Sequence, residues 1–142
     1  MTSAVVPSVA ITTRVLDVAE HERRVADCAA GAVVSFAGVV RDHDDGRGVT
    51  ALEYEAHPAA EAVLAEVVQE IAAHPAVHAV TASHRVGKLS IGDAALVVAV
   101  STAHRAEAFR LCAQLVDEIK ARLPVWKHQT FTDGTDEWVN CP

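Results

Sequence analysis

The sequence predicts a mixed α+β domain in which helices pack on a sheet. Apolar periodicity and turn signals give the order β-α-β-β-α-β-β-β-α-β. The chain has 142 residues, 51% of them hydrophobic, which suits one domain with a substantial core. No apolar run approaches the roughly 20 residues that a membrane helix needs. We therefore expect a single domain over residues 1–142, with flexible ends at 1–9 and 140–142.

The N-terminal part predicts a strand followed by a helix. Residues 11–16 alternate weakly between apolar and polar side chains, as a half-buried strand does. Asp17 follows, and its carboxylate can accept hydrogen bonds from the first free N–H groups of a helix. We expect that helix over about residues 18–28.

A β-rich run after Gly31 predicts a central strand over residues 32–40. Residues 42–48 are polar and contain an Asp-Gly pair, which is typical of a turn. Residues 49–56 again favour a strand, and we expect them to pair with the strand before the turn as a hairpin.

The middle of the chain predicts a helix and three strands. Pro58 suits the first turn of a helix over about residues 59–74. Strands are expected at 77–86, 88–91 and 94–100. The helix has apolar residues at helical spacing, namely Val63, Leu64, Val67, Val68 and Ile71.

The last long helix is predicted over residues 103–123, with Ser101 or Thr102 as its N-cap. Extended segments follow at 125–132 and 138–139. The buried face of the helix is expected to carry Ala108, Leu111, Cys112, Leu115 and Ile119.

The charge distribution indicates a local anion site. The net charge of −7 argues against a general nucleic-acid binder. Residues 81–130 nevertheless contain seven lysines and arginines against four acidic residues, whereas residues 1–80 contain five against twelve. A basic region on an acidic protein predicts a focused site for an anionic ligand.

The cysteines and histidines suggest neither a disulfide framework nor a metal. Three cysteines, Cys28, Cys112 and Cys141, are odd in number and far apart, which favours a reducing cytoplasm. The segment 1–8 lacks the features of a secretory signal. Eight histidines show no ligand spacing, so we expect no metal and no cofactor.

Two lysines flank a corner of the chain. Pro124 must end the helix that contains Lys120, because its ring disfavours a helical residue before it. Lys127 then leaves on a new path after the apolar Val125 and Trp126. Solvated lysines are the common case. The alternative is that both amines reach one pocket, where apolar walls or other cations make a lysine release its proton more readily.

Other polar groups stand at the ends of predicted elements. Arg41 follows a strand, and His104-Arg105 opens a helix, where free N–H groups favour an anion. A pair of solvated surface residues is again the more common situation. For His84-Arg85, a structural role and a site role are about equally favoured. Glu53 and Glu55 share one strand face, where salt bridging is more common than acid–base work.

These residues carry a resemblance in order and spacing. The chain resembles the large, catalytic subunit of molybdopterin synthase, the MoaE family, over about residues 10–138. The matching motifs are residues 31–43, Leu52-Glu53-Tyr54-Glu55-Ala56, His84-Arg85-Val86-Gly87, Ala103-His104-Arg105, and Lys120 with Pro124-Val125-Trp126-Lys127.

The resemblance implies a fold and an activity. The family fold is an α/β hammerhead with an additional antiparallel β-sheet. The activity is sulfur transfer from the C-terminal Gly-Gly thiocarboxylate of a small ubiquitin-fold subunit to cyclic pyranopterin monophosphate, which forms the dithiolene of molybdopterin. Two large subunits dimerise, and one small subunit docks at each end of the dimer.

The resemblance also implies the site residues. Lys120 and Lys127 would be catalytic. Substrate-binding residues would be Val39, Val40, Arg41, His104, Arg105, Lys120, Lys127, His128 and Gln129, with Arg41, His104 and Arg105 on the phosphate.

The chain departs from the family pattern at two places, and a second hypothesis stands beside the enzyme. Family members often carry a basic residue and then glutamate after the second lysine, where this chain has His128 and Gln129; an aromatic residue is common where His57 stands. The alternative is a non-catalytic module that holds a phosphorylated ligand or a partner's C-terminal tail in a basic cleft.

Overall fold

Two β-sheets and three helices make up the fold in this computed structural model, which describes residues 8–140. Most of the buried apolar residues form one core, and Val25 packs with Ala79 and Ala99 in a second, smaller cluster. The predicted flexible ends at 1–7 and 141–142 lie outside the described residues, and Ser8 and Val9 belong to the first strand. The elements are β1 (Ser8–Thr12), α1 (Val18–Val25), β2 (Ala32–Val39), β3 (His43–Asp44), β4 (Arg47–Ala56), α2 (Ala60–Ala72), β5 (Val77–Arg85), β6 (Gly87–Leu89), β7 (Ala94–Thr102), α3 (Arg105–Arg122), β8 (Val125–Phe131) and β9 (Asp136–Val139).

The first sheet has four strands in the order β1-β5-β7-β2. β1 runs parallel to β5, and the other two pairings are antiparallel. β7 is buried along almost its whole length, because it has a strand on each side and helices against it. β1 lies three residues nearer the N-terminus than predicted, since its partner β5 fixes where it begins.

The helices cover the first sheet as their apolar periodicity predicts. Asp17 caps α1 as expected, accepting hydrogen bonds from the backbone N–H groups of Ala19 and Glu20. α1 ends at Val25, three residues earlier than predicted. The predicted apolar face of α3 is buried, with Val116 added to it, and Cys112 packs in the core as expected.

The second sheet has the order β3-β4-β8-β9, and β6 also pairs with β4. The expected hairpin between residues 32–40 and 49–56 is wrong. β2 pairs with β7 over eight residues, whereas β4 pairs with β3, β6 and β8. The Asp45-Gly46 turn does form, with positive φ at both residues, but it connects β4 to the two-residue strand β3.

The start of α3 also differs from the prediction. His104 is the N-cap residue, and its side chain makes no capping hydrogen bond. Ser101 and Thr102 belong to β7 and are buried, so neither can cap the helix. At the other end the prediction holds: Leu123 is extended, and Pro124 separates α3 from β8.

The α+β prediction is therefore confirmed, with an antiparallel sheet added to a helix-covered sheet. The core is continuous between the two sheets, because Leu52, Tyr54 and Val125 of the second sheet pack with residues of β5, β7 and α3. Within residues 8–140, no helix has both the length and the apolar character to cross a membrane.

Candidate active site

The corner between α3 and β8 places the two lysines on two consecutive elements. Lys120 lies in the last turn of α3, and Lys127 is the third residue of β8. Val125 is fully buried, and the backbone N–H of His57 donates to the Pro124 carbonyl at 3.0 Å. The corner is thus fixed by packing and by a backbone hydrogen bond.

Tyr54 and His84 are each a neighbour of one of the two lysines. Tyr54 is directly opposite Lys127 in the β4–β8 pairing, so both side chains are on the same face of the sheet. The Tyr54 and His84 rings meet edge to face with centroids 4.9 Å apart. Lys120 lies close enough to His84 for its charge to affect the imidazole. The structure therefore places one lysine near each ring of the aromatic pair.

His84 is fully buried and uncharged at neutral pH. Its Nδ1 lies 2.7 Å from the carbonyl oxygen of Arg85, so Nδ1 carries the proton and donates it. Nε2 is then an acceptor, and it has no hydrogen-bond partner within residues 8–140. Burial, with a smaller effect from the positive charge of Lys120, lowers the pKa of His84 to about 4 against the opposing hydrogen bond to Arg85.

A second group of polar residues lies near Lys127. Gln129 is buried, and its Nε2 donates to Asp44 Oδ2 at 2.7 Å. Arg41 Nη2 lies 3.4 Å from Asp44 Oδ1. The Gln129 hydrogen bond, followed by the charges of Lys127, Arg41 and His43, lowers the pKa of Asp44. Arg41, Lys127 and Gln129 of the predicted site are therefore together.

Val39 and Val40 differ in exposure. The Val39 side chain is 50% exposed, whereas Val40 packs in the core at 6%. The Val40 backbone exchanges two 2.9 Å hydrogen bonds with the turn at Gly92 and Asp93. Val40 therefore fixes the point from which the exposed Arg41 leaves β2.

His128 lies on the opposite face of the sheet from Lys127, because neighbouring strand residues point to opposite sides. Its ring stacks on Trp138 at 4.5 Å, and its Nε2 lies 2.7 Å from Asp136 Oδ2. A cleft of about 700 Å³ opens on this outer face, lined by Thr50, Ala51, Leu52, Glu53, Lys88, Leu89, Ser90, Ile91, His128 and Thr130.

His104 and Arg105 are not near the lysines of the same chain. Both are exposed at the N-terminal end of α3. Arg105 precedes Lys120 by fifteen residues of continuous helix, which separates them by about 22 Å at 1.5 Å per residue. One chain alone therefore does not unite all the predicted site residues.

Three neighbours of the lysines were not predicted as site residues. Asp44 lies in a strand of two residues, which is too short to produce a periodic pattern. Tyr54 gave a signal, since its alternation with Glu53 and Glu55 places it on the other face of the strand from both glutamates. For His84 the sequence left a structural role and a site role about equally favoured. Its neighbour Arg85 has a structural role, because it donates hydrogen bonds to Asp93 and to the Thr13 carbonyl.

The described residues contain no group of three or more His, Cys, Asp or Glu side chains that could hold a metal ion. The groups near the two lysines are amines, a guanidinium, a phenol and a neutral imidazole. Such a set is suited to binding an anion and to stabilising negative charge that develops on a substrate.

Comparison with known proteins gives a consistent set of relatives. A family model described as MoaE protein matches residues 11–122. A Nostoc protein named molybdopterin synthase catalytic subunit is 39% identical over 135 residues, covering 94% of this chain and 82% of that protein.

Solved structures agree in fold. A molybdopterin synthase structure from Staphylococcus aureus superposes with a TM-score of 0.82 and 33% identity, covering 93% of this chain and 95% of the other. A Helicobacter pylori complex, described as subunits 1 and 2 of molybdopterin-converting factor, has a TM-score of 0.70 at 18% identity, covering 96% of this chain and 90% of that one. That last likeness supports the fold alone.

Proposed function

This chain belongs to the MoaE family, and from that premise we propose that it is the catalytic subunit of a molybdopterin synthase. In this proposal the chain is a sulfurtransferase. It moves sulfur from the C-terminal thiocarboxylate of a small ubiquitin-like partner to cyclic pyranopterin monophosphate. The odd cysteine count supports a cytoplasmic location.

The observation that carries this proposal is the position of the two lysines. Lys127 lies opposite Tyr54 on the paired strand, and Lys120 lies near His84, whose ring contacts Tyr54. We propose that both amines act on one substrate. A non-catalytic anion site would need only cations. The neutral imidazole beside Lys120 and the phenol beside Lys127 add groups that can take part in hydrogen bonds to a reacting atom.

The proposed chemistry uses the lysines at two stages. The thiocarboxylate sulfur first adds to an electrophilic carbon of the pterin, and an amine that is partly deprotonated can perform the proton transfers of that step. Water then attacks the carbonyl carbon of the resulting thioester through a tetrahedral oxyanion, which an ammonium group stabilises. Collapse of the oxyanion breaks the bond between the acyl carbon and sulfur and leaves an ordinary carboxylate on the partner. Both roles are compatible with each lysine. The arginine substitution described in the Discussion separates them.

Phosphate recognition is assigned to the exposed cation next to Lys127. Arg41 leaves the end of β2 at a fixed point, and its guanidinium can make a bidentate contact with phosphate. Val39 is exposed beside it and offers an apolar contact for the pterin. Gln129 donates a hydrogen bond to Asp44, which in turn faces Arg41. We place His128 outside the pocket, because it lies on the outer face of the sheet with Trp138.

Because Arg105 and Lys120 lie far apart along α3, the proposal includes a second copy of this chain. His104 and Arg105 can join the phosphate site only if a second chain brings its α3 N-terminus to this pocket. A homodimer with two shared sites satisfies this requirement. One small subunit at each end would then give a heterotetramer, in keeping with the two-subunit composition described for the Helicobacter pylori complex.

Reconstitution tests the proposed function directly. The purified chain is incubated with a thiocarboxylated small partner and cyclic pyranopterin monophosphate, and dithiolene product is measured. Product that requires both lysines supports the assignment. Binding of both ligands with no product would instead favour the binding module described above. The matched control is the same mixture with a partner that ends in an ordinary carboxylate.

A further inference from the structure

A carboxylate lies among the cations of the proposed site. Asp44 uses its two oxygens for different partners: Oδ2 accepts from Gln129 Nε2 at 2.7 Å, and Oδ1 lies 3.4 Å from Arg41 Nη2. Lys127 is near enough for its charge to act on Asp44 as well. The Gln129 hydrogen bond, with smaller contributions from Lys127 and Arg41, lowers the pKa of Asp44, so this carboxylate is ionised at neutral pH.

The buried amide of Gln129 fixes the position of Asp44. Gln129 is 2% exposed, and its Nε2 donates both to Asp44 and to Glu137 Oε1, the latter at 3.2 Å. An amide nitrogen has two hydrogens, and both are used. Rotating the Gln129 side chain would break two hydrogen bonds to carboxylates. Asp44 is therefore anchored to β8, although its own strand has only two residues.

We propose that Asp44 is a positioning residue, whose carboxylate, held by Gln129, draws the Lys127 ammonium and the Arg41 guanidinium together at one edge of the pocket. Two cations repel each other, and an anion between them offsets that repulsion. It also restricts the rotamers of a long, flexible lysine. Asp44 acts through these cations and does not touch the reacting atoms. The inference rests on the proposed function, because it takes Lys127 as the group that works on the substrate.

A purely structural role for Asp44 makes a different prediction. In that case only the hydrogen bond to Gln129 matters. The variant Asp44→Asn separates the two possibilities, because the asparagine carbonyl oxygen can still accept from Gln129 while the negative charge is gone. Asp42→Asn is the matched control: it removes the same charge two residues earlier, where the carboxylate is 78% exposed and bonds only its neighbour His43.

Turnover of the reconstituted enzyme is the first readout. We expect Asp44→Asn to lower kcat by roughly ten- to a hundredfold, as a misplaced catalytic group does, with little change in melting temperature. Asp42→Asn should keep the wild-type rate. An Asp44→Asn enzyme with wild-type kcat and KM would overturn the proposal. So would a loss of turnover that merely parallels a loss of stability.

Exchanging the two side chains gives a rescue experiment. Gln129→Glu alone places a second carboxylate against Asp44, and we expect it to lower the melting temperature. Because Gln129 also donates to Glu137, the triple variant Asp44→Asn/Gln129→Glu/Glu137→Gln restores one carboxylate and one amide across each of the two contacts. We expect it to recover most of the turnover lost in Asp44→Asn. A triple variant with an unchanged melting temperature that is no more active than Asp44→Asn would contradict the role of the charge.

Side-chain mobility supplies a readout that needs no catalysis. With 13C-labelled lysine, NMR relaxation of the Lys127 ε-carbon reports how firmly the ammonium group is held. We expect greater mobility in Asp44→Asn and no change in Asp42→Asn. Unchanged Lys127 mobility in Asp44→Asn would refute the positioning role even if the wild-type chain made no dithiolene. Failure of the proposed function and failure of this inference are therefore distinguishable.

Discussion

Tyr54 and His84 belong to different sheets, yet their rings meet edge to face with centroids 4.9 Å apart and planes at 80°. This contact joins β4 to the end of β5 at the place where both lysines approach. Because Lys127 is paired with Tyr54 and Lys120 lies near His84, a displacement of either ring would alter the surroundings of both amines.

Lys127→Ala is expected to abolish product formation while leaving dimerisation and partner docking intact. The loss should be on the order of a hundredfold or more, as for removal of a group that transfers a proton. The fold should change little, because Val125 and Gln129 on either side keep β8 in place. Single-turnover assays and sedimentation velocity measure the two properties.

Lys127→Arg is the control for the role of the amine. Arginine keeps the charge but does not give up its proton at neutral pH. Partial activity is therefore expected, well below that of the wild type. Wild-type activity in Lys127→Arg would leave only an electrostatic role, and wild-type activity in Lys127→Ala would remove this residue from the mechanism.

Lys120→Ala is expected to reduce turnover severely and also to change the titration of His84. The positive charge of Lys120 helps to lower the pKa of His84 to about 4, so removing it should raise that pKa. NMR titration of the imidazole resonances measures the change. If turnover falls and the His84 titration is unaltered, Lys120 acts at a greater distance from His84 than the structure indicates.

Arg41→Ala and Arg105→Ala are each expected to weaken binding of the phosphate-bearing substrate by about 1.5–3 kcal/mol, the usual cost of losing a charge-assisted hydrogen bond. The Arg41 side chain is 65% exposed, so the fold should be unaffected. Calorimetry measures the affinity. Unchanged affinity in both variants would exclude these arginines from the site.

Mixing variants tests whether Arg105 acts in the site of the other copy. In a mixed dimer of Lys127→Ala and Arg105→Ala chains, one of the two sites would be intact if the site is shared. With random exchange, about a quarter of wild-type sites should be restored in a dimer with isologous symmetry. No recovery after verified subunit exchange would place Arg105 in the site of its own chain, or in none.

The buried His84 should make folding stability depend on pH. Its folded-state pKa of about 4 lies below the ordinary value of 6.5, so below pH 6.5 the unfolded chain binds a proton that the folded chain does not. The free energy of unfolding should therefore fall as the pH drops from about 6.5 to 4, by up to about 3 kcal/mol from this residue. Urea unfolding at several pH values measures the effect.

His84→Phe provides the comparison for that measurement. Phenylalanine keeps a ring against Tyr54 but cannot be protonated. The free energy of unfolding of the wild type minus that of the variant should become smaller or more negative as the pH falls, because only the wild type loses stability by this route. A difference that stays constant from pH 7 to pH 4 would show that His84 does not take up its proton on unfolding.

Local patterns predicted the helices well, and the reason is physical. The buried face of α3 follows from its own periodicity, and the end of α3 follows from the ring of Pro124. Strand partners do not follow from such patterns. Residues 32–39 signal a strand, but nothing in them specifies β7, sixty residues later, as the partner in place of the neighbouring β4.

The site was predictable to the extent that its residues lie near one another in sequence or match a family pattern. Lys120 and Lys127 flank a single corner, so their placement on two consecutive elements followed from Pro124. Asp44 could not be predicted in this way, because its contact with Gln129 spans 85 residues and depends on a two-residue strand. The separation of Arg105 from Lys120 follows from helix length alone.

The pairing of β4 with β8 has a consequence for synthesis of the chain. Every strand of the first sheet is complete once Thr102 has been made, whereas β4 gains its long partner only when residues 125–131 emerge from the ribosome. The lysine corner should therefore form only after the strands of the first sheet have been made. Nascent chains stalled before residue 125 should bury the first sheet while leaving one edge of β4 available to other chains.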